Sequence, residues 1–510
     1  MRKLMKVATL ALLVLFAAMP VFAAGPAKVT PITLLLLGNK PTNGRIEAAL
    51  AEINKLIGPR IGAELKVQYI EWADWQNQYQ LALASGDSNI DLVITATDWL
   101  FAREISRKGG FYPLTPALLK ANAPKTWAAV SPAHWDLCTE NGKIWFIPED
   151  QYSQYTNHGV YWRKDWAAEG GVTEVKKFAD LEKYFDAVKK NHPEAFPWDV
   201  SGKESAFGQI LYGYLLSSTP AQTILGCSTG NHGIFWYNTK DPYTVVSPFM
   251  DGKELIDAAQ TFDRWATKGV WREDVLNYQG QTREEMYDGL SGADQHHTQT
   301  YVTQTRPQMD KRQPGSELQF YYFGMENKNV NKDLQTHGAM AVNAASKNAA
   351  KALQVYELLR NDKQIYMFFN YGIEGVDYVM KSGNVLDRPE GWDVTKQSLD
   401  SNFWGGRMDA FEPLNAQHWA DKNKLYAEYA KFAMEYPLEK FAFNNTKVAA
   451  EMAAIGDVCS TYMPALAYGK SGDPVKAVND FRAALKKAGY DKVKAEIQSQ
   501  LTAFKKANKK

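Results

Sequence analysis

Two adjacent pairs in this 510-residue chain have the side chains of catalysis or metal binding, Glu149-Asp150 and His296-His297. Glycoside hydrolysis needs two carboxyl groups about 5–9 Å apart that face one sugar. Neighbouring side chains of an extended segment point to opposite faces, so Glu149 and Asp150 are expected to diverge. The same holds for His296 and His297, which lack a third ligand at regular spacing and read as a surface loop. Cys138, Cys227 and Cys459 contain no CxxC, which excludes a thiolate zinc cluster and a disulfide scaffold. They leave room for one disulfide and at least one free thiol. No GxSxG, HExxH or phosphate-cradling glycine loop appears, so neither an enzyme nor a cofactor or metal is expected. What stands out instead is the aromatic load: 15 Trp, 26 Tyr and 23 Phe.

With 58 Lys+Arg against 57 Asp+Glu, the chain has no electrostatic reason to bind nucleic acid or an anionic membrane. Arg2, Lys3 and Lys6 precede an apolar run, Val7 to Met19, then Pro20 and the small residues of Val21-Phe22-Ala23. This pattern reads as a secretory signal cut after Ala23, and the run is too short to span a membrane as a helix. Cleavage would leave 55 Lys+Arg against 57 Asp+Glu, a net charge of −2. No cysteine lies near the cut, so a lipid-anchored terminus is not expected. The mature chain is read as a soluble periplasmic or secreted monomer.

The elements that must position these aromatics alternate. Ile32 to Leu37, a continuous apolar run, reads as a strand buried on both faces. Ile46, Leu50, Ile53 and Ile57 keep helical spacing up to Gly58-Pro59. A strand at Leu65 to Ile70, a helix at Trp75 to Ala84, a strand at Ile90 to Thr95 and a helix from Asp98 follow. The order βαβαβ implies a parallel sheet whose ligand lies beyond the carboxyl ends of the strands. The loops placed there are Gly38–Asn43, with Lys40, then Glu71–Trp75 and Thr95–Trp99. A second block begins after Gly142 with strands at Lys143 to Pro148 and Gly159 to Trp162. The Tyr-rich connector Glu149–His158 lies between them. Residues 306–316 read as a loop, His337 to Val342 as a strand, and the chain beyond Asp409 as mostly helical.

Several stretches, in this order and spacing, resemble the family 1 extracellular solute-binding proteins of ABC importers, the carbohydrate-type class. They are GNKPTNGRIEAALAEINKL (38–56), YIEWADWQNQYQLALASGDSNIDLVIT (69–95), GVYWRKDWAAEGGV (159–172), HGAMAVNAASKNAAKALQVYELLRNDKQIYMFFNYGIEGVDY (337–378) and GYDKVKAEIQSQLTAF (489–504). Phe403-Trp404-Gly405-Gly406-Arg407 departs from the family's usual Gly-Asn-Gln. The resemblance implies an α/β, two-lobed periplasmic-binding-protein fold (type II), each lobe a mainly parallel sheet flanked by helices, with a hinge between. The lobes are expected at 24–150 plus about 335–395 and at about 151–334 plus about 396–510. It implies capture of a saccharide, expected to be an oligosaccharide, by hinge closure and delivery to ABC permease subunits. A secreted polysaccharide-acting enzyme, or a peptide or chemoreceptor binder on the same fold, are the rival readings.

Sugar rings present apolar C–H faces that flat aromatic side chains cover at little entropic cost, and hydroxyls that planar polar groups bond. On that logic the candidate ligand residues are Lys40, Trp72, Asp98 and Trp99 in the strand-end loops, and Glu149, Tyr152 and Tyr155 in the connector. Trp236 is a candidate platform in the second lobe, Tyr371 and Glu374 in the return segment, and Trp404 and Arg407 beside two glycines that allow close approach. Asp98 has a competing role as a helix N-cap, and Trp75 one in the core.

Overall fold

A computed structural model describes residues 29–73, 75–202, 209–229 and 232–508. The signal segment 1–23 lies outside the described residues. The first three strands, β1 (Thr30–Leu37), β2 (Ala63–Ile70) and β3 (Leu92–Thr95), form the parallel core that the apolar runs predict. Ile32 and Leu34 to Leu37 are wholly buried, each contributing roughly 1.5–3 kcal/mol. The connecting helices are Arg45–Ile61 and Trp75–Ala84. The first continues past Pro59 and stops at Gly62, whose left-handed backbone closes the last turn. The helix expected from Asp98 starts only at Ala102, after Phe101 in a left-handed conformation, so Asp98 is not its N-cap.

Two strands from elsewhere complete this sheet, β4 (Ile147–Pro148) and β8 (Ala339–Val342), giving the order β2-β1-β3-β8-β4. β8 runs antiparallel to β3, with Ala339 opposite Thr95, and Pro148 of β4 is also opposite Ala339. The residues just before β8 and just after β4 therefore reach the same edge as the carboxyl ends of β1 to β3. That register brings Asp98, Glu149 and His337 together.

The second lobe departs from the expectation of a parallel sheet. β5 (His158–Arg163) is flanked by β6 (Ala293–His297) and β7 (Leu318–Tyr322), both antiparallel. A further antiparallel sheet joins Ala221–Thr223, Trp236–Asn238 and Asp241–Val246. Residues 306–316, expected as loop, include the helix Arg306–Arg312, which tolerates Pro307 in its first turn. The helices Ala449–Ala467, Pro474–Lys487 and Tyr490–Asn508 pack on this lobe.

Two large apolar cores result. One spans residues 32–147 and 339–369, and the other spans 160–334 and 436–501. Phe403 and Trp404, expected with the second lobe, pack on the first. The chain crosses between cores near 149–157, 330–338 and 404–436. The first two crossings are tied together by the Glu149 N–H, which donates to the carbonyls of Gly338 (2.8 Å) and Gln335 (3.1 Å). Among the described residues no helix is long and apolar enough to cross a membrane. Cys138, Cys227 and Cys459 are all free and buried, so the one disulfide the sequence left room for is not formed among them.

Candidate functional site

Four tryptophans close a ring at the edge of the first sheet. Trp72 lies 6.4 Å from Trp75, Trp75 5.5 Å from Trp99, Trp99 5.6 Å from Trp404 and Trp404 5.8 Å from Trp72, measured between ring centroids. Two members, Trp72 and Trp99, come from the loops after β2 and β3, and a third, Trp75, opens the helix Trp75–Ala84. The fourth member arrives on a single 3-10 turn, Trp404–Gly406. Glycine is required beneath it: a Cβ on Gly338 would stand 2.6 Å from the Trp404 carbonyl oxygen and 2.8 Å from Glu149 Oε2. All four indoles are half-buried. Trp99 Nε1 donates to the His337 carbonyl at 2.9 Å, which fixes its ring.

Beside the ring, three carboxylates act on one imidazole. His337 Nδ1 donates to Asp98 Oδ2 at 2.7 Å, and Thr97 holds the two loops in register through its bonds to Thr336. Burial works against protonation of His337, but Asp98, Asp333 and Glu149 outweigh it and push its pKa up to about 10. His337 is therefore an imidazolium at neutral pH. Glu149, 2% exposed, accepts from the Gly338 N–H at 3.1 Å. Burial raises its pKa to about 8 despite the opposing charge of His337, so it is mostly protonated at pH 7. Asp333 accepts from the N–H and hydroxyl of Thr156 (3.2 and 2.7 Å) and is also raised by burial. Each acid keeps one buried oxygen with no hydrogen-bond partner: Asp98 Oδ1, Glu149 Oε1 and Asp333 Oδ2. Leaving such acceptors unmet costs about 1–3 kcal/mol each.

The second lobe has a different histidine cluster. His158 on β5 and His296 and His297 on β6 meet where the two strands pair, with ring centroids 4.1–5.6 Å apart. Burial lowers the pKa of His158 to about 4 and those of His296 and His297 well below the usual imidazole range. The trio is neutral. His296 and His297 are neither the surface-loop residues nor the diverging pair the sequence suggests: they end a strand with their rings 4.1 Å apart. Their partner lies 138 positions away, and only the antiparallel register unites them. Among the described residues no group of His, Cys, Asp and Glu is arranged to hold a metal ion.

Between the lobes runs a groove of about 850 Å³. Trp75, Asp98 and Trp99 line its first-lobe side, and Tyr436, Asn444 and Asn445 its second-lobe side. Arg103 donates to the carbonyls of Leu137 and Glu439, and Arg107 to those of Ala442 (3.0 Å) and Phe443 (2.5 Å), so arginines of the first lobe grip backbone of the second.

The remaining candidates divide. Tyr152 accepts from Arg407 Nη1 at 3.1 Å, and the guanidinium lies over the Tyr152 ring. Burial opposes the charge of Arg407, yet Tyr152 and Glu412 raise its pKa further. Tyr371 donates to Glu412, as does Tyr366, in the same buried set. These residues adjoin the crossing at 404–412 and do not line the groove; Trp72, Trp404, Glu149, Asp333 and His337 also sit behind its lining, which Trp75, Asp98 and Trp99 reach. Tyr155 is buried against Tyr426 and Tyr429. Trp236 is wholly buried in the second core, with Nε1 bonded to the Gly233 carbonyl, so it is packing and not a platform. Lys40 is an exposed partner of Glu47, and Glu374 is exposed on a turn; the structure brings neither to the site. Glu149 and Asp150 diverge as expected, Asp150 pairing with His134. Sequence reading missed Asp333, His337 and the histidine trio, because their roles depend on strand register.

An aromatic ring flanked by unmet acceptors offers stacking faces and hydrogen-bond acceptors, and no nucleophile stands beside a base among these groups. Residues 50–365 match the family described as bacterial extracellular solute-binding protein, and residues 437–506 match one described as a domain of unknown function (DUF3502). The chain is similar to a carbohydrate ABC transporter substrate-binding protein of Streptococcus pneumoniae serotype 4. Identity is 24% over 503 residues, covering 94% of this chain and 91% of that one. In structure it resembles the N-glycan transport solute binding protein NgtS from Streptococcus pneumoniae, solved with Man1GlcNAc (TM-score 0.71, 20% identity, 93% of this chain and 99% of that). It also resembles the Streptococcus pneumoniae ABC-transporter substrate binding protein FusA, solved with kestose (TM-score 0.64, 14% identity, 94% and 100%). Both share its two-lobed α/β fold.

Proposed function

This chain belongs to the bacterial extracellular solute-binding proteins, and from that premise we propose that it captures a carbohydrate, an oligosaccharide rather than a monosaccharide, by closing its lobes. The observation that carries this reading is the ring of four half-buried indoles set beside carboxylate oxygens with no partner. Indole faces cover the C–H faces of a sugar, and the carboxylates accept its hydroxyls. In the groove, Tyr436, Asn444 and Asn445 contribute from the opposite lobe. Contacts made only when both walls touch the ligand favour the closed form, because only a differential affinity shifts such an equilibrium. The closed form then docks on ABC permease subunits as a monomer and releases the sugar unaltered. Export by a signal cut after Ala23 places the protein outside the cytoplasm, where its family works.

A thermal-shift screen with mono-, di- and oligosaccharides tests this. Ligand at 100 times its Kd adds about 2.7 kcal/mol to apparent stability, so a matching oligosaccharide raises Tm clearly and its monosaccharide does not. Tm unmoved by every saccharide, or a product sugar accumulating over hours, would sink the reading.

A further inference from the structure

The subsite around His337 carries information about which sugars the protein accepts. Its unmet groups are all acceptors or a neutral acid: Asp98 Oδ1, Asp333 Oδ2 and Glu149 Oε1, each buried and each without a hydrogen-bond partner. Glu149 is 98% buried, and its other oxygen is already taken by the Gly338 N–H. The register of β8 against β3 and β4 sets all three carboxyl groups about one imidazole. One positive charge among three acids leaves no surplus of cation for an incoming anion.

The cations of the neighbouring groove are committed elsewhere. Arg103 serves the carbonyls of Leu137 and Glu439. Arg107 serves Glu140 and the carbonyls of Ala442 and Phe443. Lys108 pairs with Glu104 at 2.6 Å. Arg407 lies outside the groove lining, bonded to Tyr152 and facing the Glu412 carboxylate; its charge also reaches Glu149, and its Nε is a buried donor with no partner. A ligand carboxylate placed near the partly buried Asp98 would meet like charge. A neutral ring edge would instead supply the hydroxyl donors that Asp98 Oδ1 and Asp333 Oδ2 lack, and accept from the protonated Glu149.

We infer, on the strength of the carbohydrate reading above, that this subsite takes the hydroxyl-bearing edge of a neutral sugar and rejects acidic sugars such as uronates and sialates. Specificity then has two sources: the indoles favour any sugar ring, and the acids discriminate among rings by charge.

The experiment is isothermal titration of the mature protein at pH 7 with two panels. The neutral panel is maltotriose, cellotriose, mannotriose and triacetylchitotriose; the acidic panel is trigalacturonate, trimannuronate and sialyllactose. At least one neutral ligand is expected to bind, and every acidic ligand at least about 100-fold more weakly than the best neutral one. An acidic ligand that binds as tightly as the best neutral one overturns the inference while leaving the carbohydrate reading intact. Silence from both panels overturns the carbohydrate reading and this inference with it. Asp333→Asn, which exchanges an acceptor for an amide, is expected to shrink the neutral-over-acidic preference at least tenfold; an unchanged ratio contradicts the role of the acids. Asp98→Asn, at the groove surface, gives the same readout with less risk to folding.

Discussion

The two lobes each contain buried histidine, and the structure treats them in opposite ways. His337, on the first-lobe side, faces Asp98, Asp333 and Glu149, and its pKa rises to about 10. His158, on the second-lobe side, faces His296, His297 and Arg283, and burial takes its pKa down to about 4. Depth is similar in the two places, so depth does not decide the charge. Neighbouring charge does: three acids overcome desolvation, whereas a cation and further imidazoles reinforce it. The first lobe thus has an imidazolium among acids, and the second a neutral histidine cluster that can donate or accept.

The largest test of that contrast is the pair His337→Gln and His296→Gln. Removing the imidazolium leaves buried acids without their counter-charge, which costs about 3–5 kcal/mol. Removing a neutral imidazole of the trio costs about 1 kcal/mol, a lost hydrogen-bonding group at most. Urea unfolding at pH 7 reads both, and equal losses would erase the distinction between the lobes.

The pH profile of Tm sharpens it. His337 is more basic folded than unfolded, so its contribution is complete below about pH 6.5 and is lost as pH rises toward 10. Glu149, raised to about 8, works in the same direction between about pH 4.5 and 8. The trio, lowered on folding, works oppositely and costs stability as pH falls below about 6.5. Tm is expected to peak near the histidine reference value of about 6.5 and fall on both sides, by up to about 1.4 kcal/mol per pH unit for each group. His337→Gln should flatten the limb between pH 8 and 10, while His158→Gln should flatten only the acid limb.

Smaller and local to the first lobe, Trp404→Ala or Trp99→Ala should weaken saccharide binding by about 10- to 100-fold, as the loss of a buried aromatic anchor does. Trp236→Ala separates platform from packing: it should cost about 3–5 kcal/mol of stability and leave the affinity of the surviving fold unchanged. Lys40→Ala and Glu374→Ala, both exposed, should change neither stability nor affinity measurably in the same titrations.

How much of this was written legibly in the chain varies with the kind of order involved. β1 and β3 were readable as apolar runs buried on both faces, and the edge strand β2 as an alternating one. The ends of those strands then pointed to Trp72, Asp98 and Trp99, which the structure does bring together. Trp404 was readable from the two glycines that follow it, of which Gly405 permits close approach to Ala339 of β8 and Gly406 makes room for the Phe403 ring. The antiparallel second lobe was not readable. Its strands are short, and β6 finds β5 across more than a hundred residues, a register that no local pattern encodes. His158, His296 and His297 were lost with it. Trp236 was misread for a different reason: Ile234-Phe235-Trp236-Tyr237 is buried on every side, and a buried strand and an aromatic platform have the same composition. Asp333 and His337 bracket a crossing between lobes, where periodicity is silent and only tertiary contact assigns a role.

The most direct test of the central claim, that the indole ring and its acids form a carbohydrate site, is a tryptophan-fluorescence titration of the mature protein with neutral oligosaccharides, run beside Trp404→Ala. The account predicts a saturable change for the parent protein, at least tenfold weaker binding in the variant, and sugar recovered unaltered. Full affinity in Trp404→Ala together with an unchanged fluorescence signal would contradict it.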